Sequence, residues 1–373
     1  MTKNNDNAER DPVIWADYAA RRMSDWVEMI RVRLRISVES ALDEIIKFLG
    51  YKYWMEMSNR QPLIDKLLAL GADGIDRSVR NFLDSEFAAM LNLSGAEFRL
   101  TVPLVNQMIH ALSDVYFPAI QPAARGVLLD RFIELNSRSL PSRFRTPRSV
   151  VDLMLGCLQP SVEESVFDPD FGFGDLLVEA FRRTGSLRRI GGFEENFLAS
   201  RICALRLAFE CLMDSVVDLQ IGIGPETVCS WREGFDVALC VPALGCRVAW
   251  NRPVPDCPKS IANLSEIYAI ENSLEALRPG GRMATIVPDA LLQSGAFREF
   301  QFRCEKRAEL LFSYAFDSAQ TSFSIPGDSL SALFLRKRGG ASSHIPECAV
   351  AVGTPIPEAV SAFTEFRESR HLW

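Results

Sequence analysis

Histidine is scarce in this 373-residue chain: only His110, His344 and His371 occur, and no two lie close together. The nine cysteines, at 157, 203, 211, 229, 240, 246, 257, 304 and 348, include no Cys-x-x-Cys pair. A Cys/His zinc centre needs four such ligands at short spacings, so none is expected. An odd number of dispersed cysteines fits a reducing cytoplasm better than a disulfide framework. Positive charge is also short, since 41 Lys and Arg against 48 Asp and Glu give −7. A protein that grips nucleic acid over its whole face does so by neutralising phosphates, which this balance argues against; a local basic groove stays compatible. No run of about 18 apolar residues occurs, and the opening MTKNNDNAERDP has no apolar core of a secretion signal, so the expected location is the cytoplasm. What is present is an ordinary globular balance, 48% hydrophobic and 24% charged, in a chain long enough for roughly two domains.

Residues 1–12 read as a disordered tail. Residues 13–135 read as a helical domain. Trp15, Tyr18, Ala19, Met23, Trp26, Ile30 and Leu34 recur at three- and four-residue spacing, and Ala41, Leu42, Ile45, Ile46 and Leu49 follow. Breaks are expected at Gly50, Asn59–Pro62, Gly71–Gly74, Ser94–Gly95, Pro103 and Pro118–Pro122. The basic stretch Arg21–Arg35 reads as a solvated helix face, with a partner or nucleic-acid surface as the sharper alternative. Over residues 136–340 short apolar runs alternate with helical stretches at Ser149–Leu158, Asp175–Arg183, Asn196–Met213 and Ser265–Leu277. The runs are Ser165–Phe167, Arg189–Phe193, Val216–Ile223, Phe235–Val241, Arg282–Val287, Leu310–Phe316 and Leu330–Leu335. Such alternation implies a mostly parallel seven-stranded sheet covered by helices. The polar Asp317–Asp328 loop before the last run permits an antiparallel final pair. Residues 341–373 read as a tail with one amphipathic helix, Ile356–Phe366, that either docks on a partner or caps the domain.

The segment SVFDPDFGFGDLL, Ser165 to Leu177, places a glycine turn (Gly172, Gly174) between a strand ending at Asp168 and a helix beginning near Asp175. Such a turn lets the backbone approach a ligand, or it simply joins strand to helix. Glu194 ends the next strand, 20 residues after Gly174. An acid there can accept hydrogen bonds from both ribose hydroxyls of an adenosine cofactor; a plain surface acid beside Glu195 is the alternative. Upstream, Thr146 reads as a helix N-cap with Pro147 at the first helical position. Arg138, Arg143, Arg145 and Arg148 in that approach either contact phosphates or are solvated. Downstream, LRPGGRMATIVPDALL ends a helix at Gly280–Gly281 and starts a buried strand.

These four segments, in this order, resemble the N6-adenine DNA methyltransferases, and among them the modification subunits of type I restriction systems. That family's pattern runs Tyr-Thr-Pro-Arg, Asp-Pro-Ala-Cys-Gly-Ser-Gly, an acid, Asn-Pro-Pro-Phe/Tyr, and Lys-Pro-Gly-Gly-Arg. The matching residues here are Phe144–Arg148, Asp168–Gly174, Glu194 and Arg278–Pro288, with Thr321–Lys337 similar to the family's last strand. The resemblance covers about Val127 to Arg338. It implies an α/β, Rossmann-like class I S-adenosylmethionine-dependent methyltransferase sheet of seven strands, the last pair antiparallel, beside an N-terminal helical domain. It also implies S-adenosylmethionine as cofactor. Asp168, Gly172 and Gly174 would lie near its methionine part, Thr146 near the methionine end, Glu194 on the ribose and Glu226 near the adenine.

The departures fall where the chemistry is. The strand Phe235–Leu239 aligns with the catalytic strand, but Val241-Pro242-Ala243-Leu244 stands where the family has Asn-Pro-Pro-aromatic. The exocyclic nitrogen of adenine is a poor nucleophile because its lone pair is delocalised into the ring. The family's Asn side chain and the next backbone carbonyl accept its two hydrogens and return electron density to nitrogen. Val241 has no acceptor, and one lost preorganised partner at a reaction centre costs roughly 3–4 kcal/mol. Leu244 packs but does not stack on a flipped base, a loss of roughly 1–3 kcal/mol. Asn251-Arg252-Pro253 lies too far along to substitute, Phe171 and Phe173 replace small residues of the cofactor loop, and Pro225 alters the backbone before Glu226. Only 35 residues follow Arg338, too few for a DNA-recognition domain. The expected function is an N6-adenine DNA methyltransferase-like subunit of a restriction-modification or defence-type complex, catalytically impaired, reaching DNA through a DNA-specificity or methyltransferase partner. The alternative is an active adenine-specific enzyme working with a separate DNA-specificity subunit. Methylation of a protein or small molecule is a third class.

Overall fold

The structure is a computed structural model that describes residues 12–91, 93, 97–210, 216–221, 231–248, 254, 257–317, 329–339 and 347–373. The chain forms two compact units, one of residues 1–142 with 197–214, the other of residues 143–196 with 215–373.

The first unit contains α1 (Pro12–Leu34), α2 (Val38–Asn59), α3 (Leu63–Leu83), α4 (Glu86–Met90), α5 (Val102–Ala111) and α6 (Pro122–Leu135). The Ser37 side chain caps α2 by accepting from the Ser40 amide, and Arg60, in the left-handed conformation, closes its other end. Gly50 does not break the chain, contrary to expectation. It lies inside α2, where a Cβ would meet Leu91 Cδ1 at 2.6 Å, so its smallness lets another segment pack closely. The expected break at Gly71 appears as a kink within α3, with φ at 62°. Pro103 sits in the first turn of α5, where a missing amide costs nothing. Two buried acids tie loops to α2. Glu44 Oε2 accepts from the Arg99 and Leu100 amides at 2.8 and 3.2 Å, and Glu56 accepts from the Leu63 and Phe117 amides at 3.0 and 3.1 Å. Within the basic stretch of α1, Arg21 pairs with Asp17, Arg22 with Asp114 and Arg31 with Glu28. That internal pairing favours the solvated-face reading.

The second unit is built on an eight-stranded sheet in the order β3-β2-β1-β4-β5-β7-β6-β8. The strands are β1 (Ser165–Asp168), β2 (Arg189–Glu194), β3 (Val216–Ile221), β4 (Phe235–Cys240), β5 (Leu277–Pro288), β6 (Ala308–Ala315), β7 (Leu330–Lys337) and β8 (Ala349–Val352). Among the described strands of this sheet only β7 runs against its neighbours, β5 and β6. All seven expected strands are present, and the antiparallel placing of β7 agrees with the expectation. The eighth strand, β8, lies beyond the seven that the sequence pattern predicts and pairs in parallel with β6. The helices of this unit are α7 (Arg148–Leu158), α8 (Asp175–Thr184), α10 (Ser265–Ala276), α11 (Asp289–Leu292), α12 (Gly295–Glu305) and α13 (Ile356–Ser369). The remaining helix, α9 (Phe197–Phe209), follows β2 in the chain but packs on α2 and α6 of the first unit. There Tyr53 donates to the Ala208 carbonyl at 2.9 Å, and Arg201 forks onto Asp43 at 2.6 and 2.7 Å.

Three boundaries differ from expectation. α10 ends at Ala276, not at Gly280–Gly281. Those glycines lie within β5, where a Cβ on Gly281 would stand 3.0 Å from the Asp236 carbonyl, so they let β5 approach β4. α12 was not expected; Ser294 caps it by accepting from the Phe297 amide. Residues 347–373, expected as a tail, add β8 and lay α13 on α7, where Gly156 leaves room for Val360 and Arg367 reaches Gln159 at 2.7 Å. That contact favours the capping reading of the helix. Among the described residues no helix is long and apolar enough to cross a membrane.

Candidate cofactor site

The strand order reverses between β1 and β4, and in open parallel sheets ligands bind at the carboxyl ends of the strands at such a switch point. Asp168 ends β1 there, and 1% of its surface is accessible. The next six residues turn the chain into α8. Gly172 and Gly174 take positive φ, 54° and 78°, and a Cβ on Gly172 would lie 2.6 Å from the Phe144 carbonyl. The two phenylalanines of this loop are packed inward. Phe173 donates its amide to the Phe144 carbonyl at 3.0 Å and packs its ring, tilted by 45°, at 5.3 Å from that of Phe144. Phe171 lies over β2 where Gly192 has no side chain; a Cβ there would meet its ring at 2.7 Å. The bulky loop residues are thus accommodated by a glycine on the neighbouring strand.

Glu194 ends β2 and turns back to the loop. Oε2 accepts from the Gly172 amide at 2.9 Å, and Oε1 from the Asn196 amide at 2.8 Å. Its burial, reinforced by the charge of Asp170, pushes the carboxyl up to about 7. Burial also raises Asp168 well above the usual carboxylate range and Asp170 to about 6. Thr146 is not the N-cap of α7. Pro147, with ψ at 141°, takes that position and its carbonyl accepts from Val150 and Val151. The Thr146 amide instead donates to Asp175 Oδ2 at 2.9 Å, which Arg145 also reaches at 3.0 Å.

Across the switch point, β4 ends at Cys240 and Val241-Pro242-Ala243-Leu244 follows. This loop is fastened to the start of α10. Ser265 donates its hydroxyl to the Ala243 carbonyl at 2.6 Å, and Glu266 accepts from the Gly245 amide at 2.6 Å. Asp170 joins the two loops, since Oδ2 accepts from the Ala243 amide at 2.9 Å. Asp170, Ser265 and Glu266 were not singled out from the sequence. Only Asp170 carried a signal, a carboxylate within a loop motif that has alanine there. Asp168, Gly172, Gly174 and Glu194 lie together at the carboxyl ends of β1 and β2. Glu226 lies outside the described residues, as does Asn251-Arg252-Pro253. Among the described residues no group of three or more His, Cys, Asp or Glu is placed to hold a metal ion.

The donor set fits an adenosyl cofactor in chemistry: a glycine turn for close approach, and a carboxylate at the end of β2 able to accept ribose hydroxyls. Asp168 and Glu194 are buried, and both Glu194 oxygens are engaged by backbone amides.

A sheet of this order, with a glycine turn after β1 and an acid ending β2, is the class I methyltransferase fold, whose cofactor is S-adenosylmethionine. Solved structures share this fold. A protein solved as a class I S-adenosylmethionine-dependent methyltransferase from Listeria monocytogenes aligns with TM-score 0.57 at 13% identity, covering 94% of this chain and 97% of that one. A protein solved as a modification subunit of a type I restriction enzyme from Vibrio vulnificus aligns with TM-score 0.64 at 16% identity, over 93% of this chain and 90% of that one. Within the class, residues 126–303 match the family model of the N-6 DNA methylases. The methylase subunit of the type I restriction enzyme EcoEI of Escherichia coli is 24% identical over 207 residues, 51% of this chain. That match spans 41% of the relative's length. The resemblance carried by Phe144–Arg148, Asp168–Gly174, Glu194 and Arg278–Pro288 therefore holds: the chain is similar to N6-adenine DNA methyltransferases of the type I modification-subunit kind.

Proposed function

We propose that this N6-adenine DNA methyltransferase-like chain serves as a subunit of a restriction-modification or defence-type complex and does not itself transfer methyl to adenine. The observation that carries this reading is the exit of β4, where Val241 offers no side-chain acceptor and Leu244 no stacking ring. S-adenosylmethionine, when bound, supplies an electrophilic methyl on sulfonium. The chain's own task would be to make the adenine nitrogen nucleophilic, and that needs acceptors for its two hydrogens. Without the side-chain acceptor, transfer falls by roughly two to three decades, and the missing stack weakens the hold on a flipped base further.

In this proposal Glu194 holds the cofactor's ribose, Asp168, Gly172 and Gly174 lie by its methionine part, and Thr146 sits near the methionine end. The chain works in the cytoplasm and reaches DNA through a DNA-specificity or methyltransferase subunit. In support, Arg145 is paired with Asp175, and Arg148 with Asp152 and Glu179, so two arginines of the approach are occupied within the chain.

The test is transfer of tritiated methyl from S-adenosylmethionine to unmethylated genomic DNA, by the purified chain and by the chain with its co-purified partners. The purified chain is expected to stay at background. Label appearing on adenine N6 with the wild-type chain alone would overturn the reading.

A further inference from the structure

One side chain crosses the switch-point crevice. Asp170, in the loop after β1, accepts from the Ala243 amide, in the loop after β4, at 2.9 Å. The bridge is anchored at both ends. On one side the Asp170 amide donates to Asp168 Oδ1 at 3.0 Å, at the tip of β1. On the other, the Ala243 carbonyl takes the Ser265 hydroxyl at 2.6 Å and the Cys246 amide at 3.0 Å. The contact requires a side-chain acceptor at 170 and a backbone N–H at 243. Alanine at 170 lacks the first, and proline at 243 lacks the second. Those are the residues of the motifs this chain otherwise resembles, so two separate departures meet in one hydrogen bond. Beside it Phe171 packs against β2 at Gly192, and each Glu194 oxygen accepts from one backbone amide, of Gly172 or Asn196.

We propose that Asp170 is a latch that ties the 241–246 loop across the S-adenosylmethionine crevice, so that cofactor enters only when this tie is released. The latch rests on the cofactor assigned above, and it stands whether or not methyl transfer occurs. A hydrogen bond to a carboxylate that spans the entrance of a site must break before a ligand passes, and its strength is subtracted from the ligand's affinity.

The test is calorimetric titration of the full chain with S-adenosylmethionine, for the wild type and for Asp170→Ala, Asp170→Asn and Ala243→Pro, each checked for fold by circular dichroism. Asp170→Ala and Ala243→Pro are expected to bind about tenfold or more tightly than the wild type, since one removes the acceptor and the other the donor. Asp170→Asn keeps an oxygen that accepts from Ala243 and is expected to stay near the wild type. If Asp170→Asn gains as much as Asp170→Ala, the charge and not the tie controls entry, and the latch is wrong. Equal affinity of the wild type and a folded Asp170→Ala, or no binding by either, also overturns it. If Ala243→Pro does not fold, the Asp170 pair decides alone. Methyl transfer by the wild type would remove the proposed function and leave the latch intact, so the two failures are distinguishable.

Discussion

At the scale of single residues, the carboxyls of Asp168, Asp170 and Glu194 sit near the ends of β1 and β2, where burial outweighs the backbone amides that favour their charged forms. Glu194 shows what this does to stability. Its ordinary value is 4.5, and burial raises it to about 7 in the folded chain. Between those values the folded state holds a proton that the unfolded state has released. The stabilising contribution is therefore complete below pH 4.5 and is lost as pH rises through 7, an effect of about 3 kcal/mol. Asp170, raised to about 6, acts in the same direction over a lower window. Thermal denaturation is expected to show a lower Tm at pH 8 than at pH 5. Glu194→Gln is expected to flatten that slope while lowering Tm at pH 5, because one of the Gly172 and Asn196 amides then loses its acceptor. A slope unchanged by the substitution would mean that Glu194 is charged throughout.

At the scale of elements, the glycines show what could be read from sequence and what could not. The turn at Gly172 and Gly174 was readable because a strand, a Gly-x-Gly and an amphipathic helix follow one another locally. The pair Gly191-Gly192 in β2 was not, since its role depends on residues distant in the chain. A Cβ on Gly191 would strike the Phe235 ring at 2.6 Å, and one on Gly192 the Asp168 carbonyl at 2.3 Å. A ring can rotate away and a backbone carbonyl cannot. Gly192→Ala is therefore expected to destabilise the chain by about 1–3 kcal/mol in denaturant titration, and Gly191→Ala by less. The same logic explains Gly50, read as a break and found to be a contact. The strand β8 is not legible in the sequence, because four residues, Ala349–Val352, are too short for a period-two pattern to stand out, and pairing with β6 makes them a strand. In the site, the degenerate loop was readable from residue types alone, whereas the tie from Asp170 to Ala243 needed the fold. That tie bears on repair of the loop. Val241→Asn with Leu244→Phe restores the acceptor and the ring but leaves the crevice latched, so methyl transfer by this double variant is expected to stay at background. Transfer by the double variant alone would show that the loop was the whole defect.

At the scale of the whole molecule, the deficit of positive charge acquires a structural meaning. The net charge is −7, and many of the arginines are already matched by acids within the chain. Arg21 and Arg31 pair within α1, Arg22 pairs with Asp114, Arg145 and Arg148 pair beside α7, and Arg278 and Arg188 both reach Asp236. A phosphate competing for any of these must first displace a carboxylate. The observed slope of binding against salt counts the cations that newly neutralise phosphates, about −0.9 for each on duplex DNA. For this chain alone, anisotropy titrations with a duplex between 50 and 200 mM salt are expected to give weak binding and a slope shallower than about −3. A slope twice as steep would mean that these pairs open on contact with DNA and that the chain holds DNA without a partner. A steep slope that appears only with a co-purified subunit would place the phosphate contacts on that subunit.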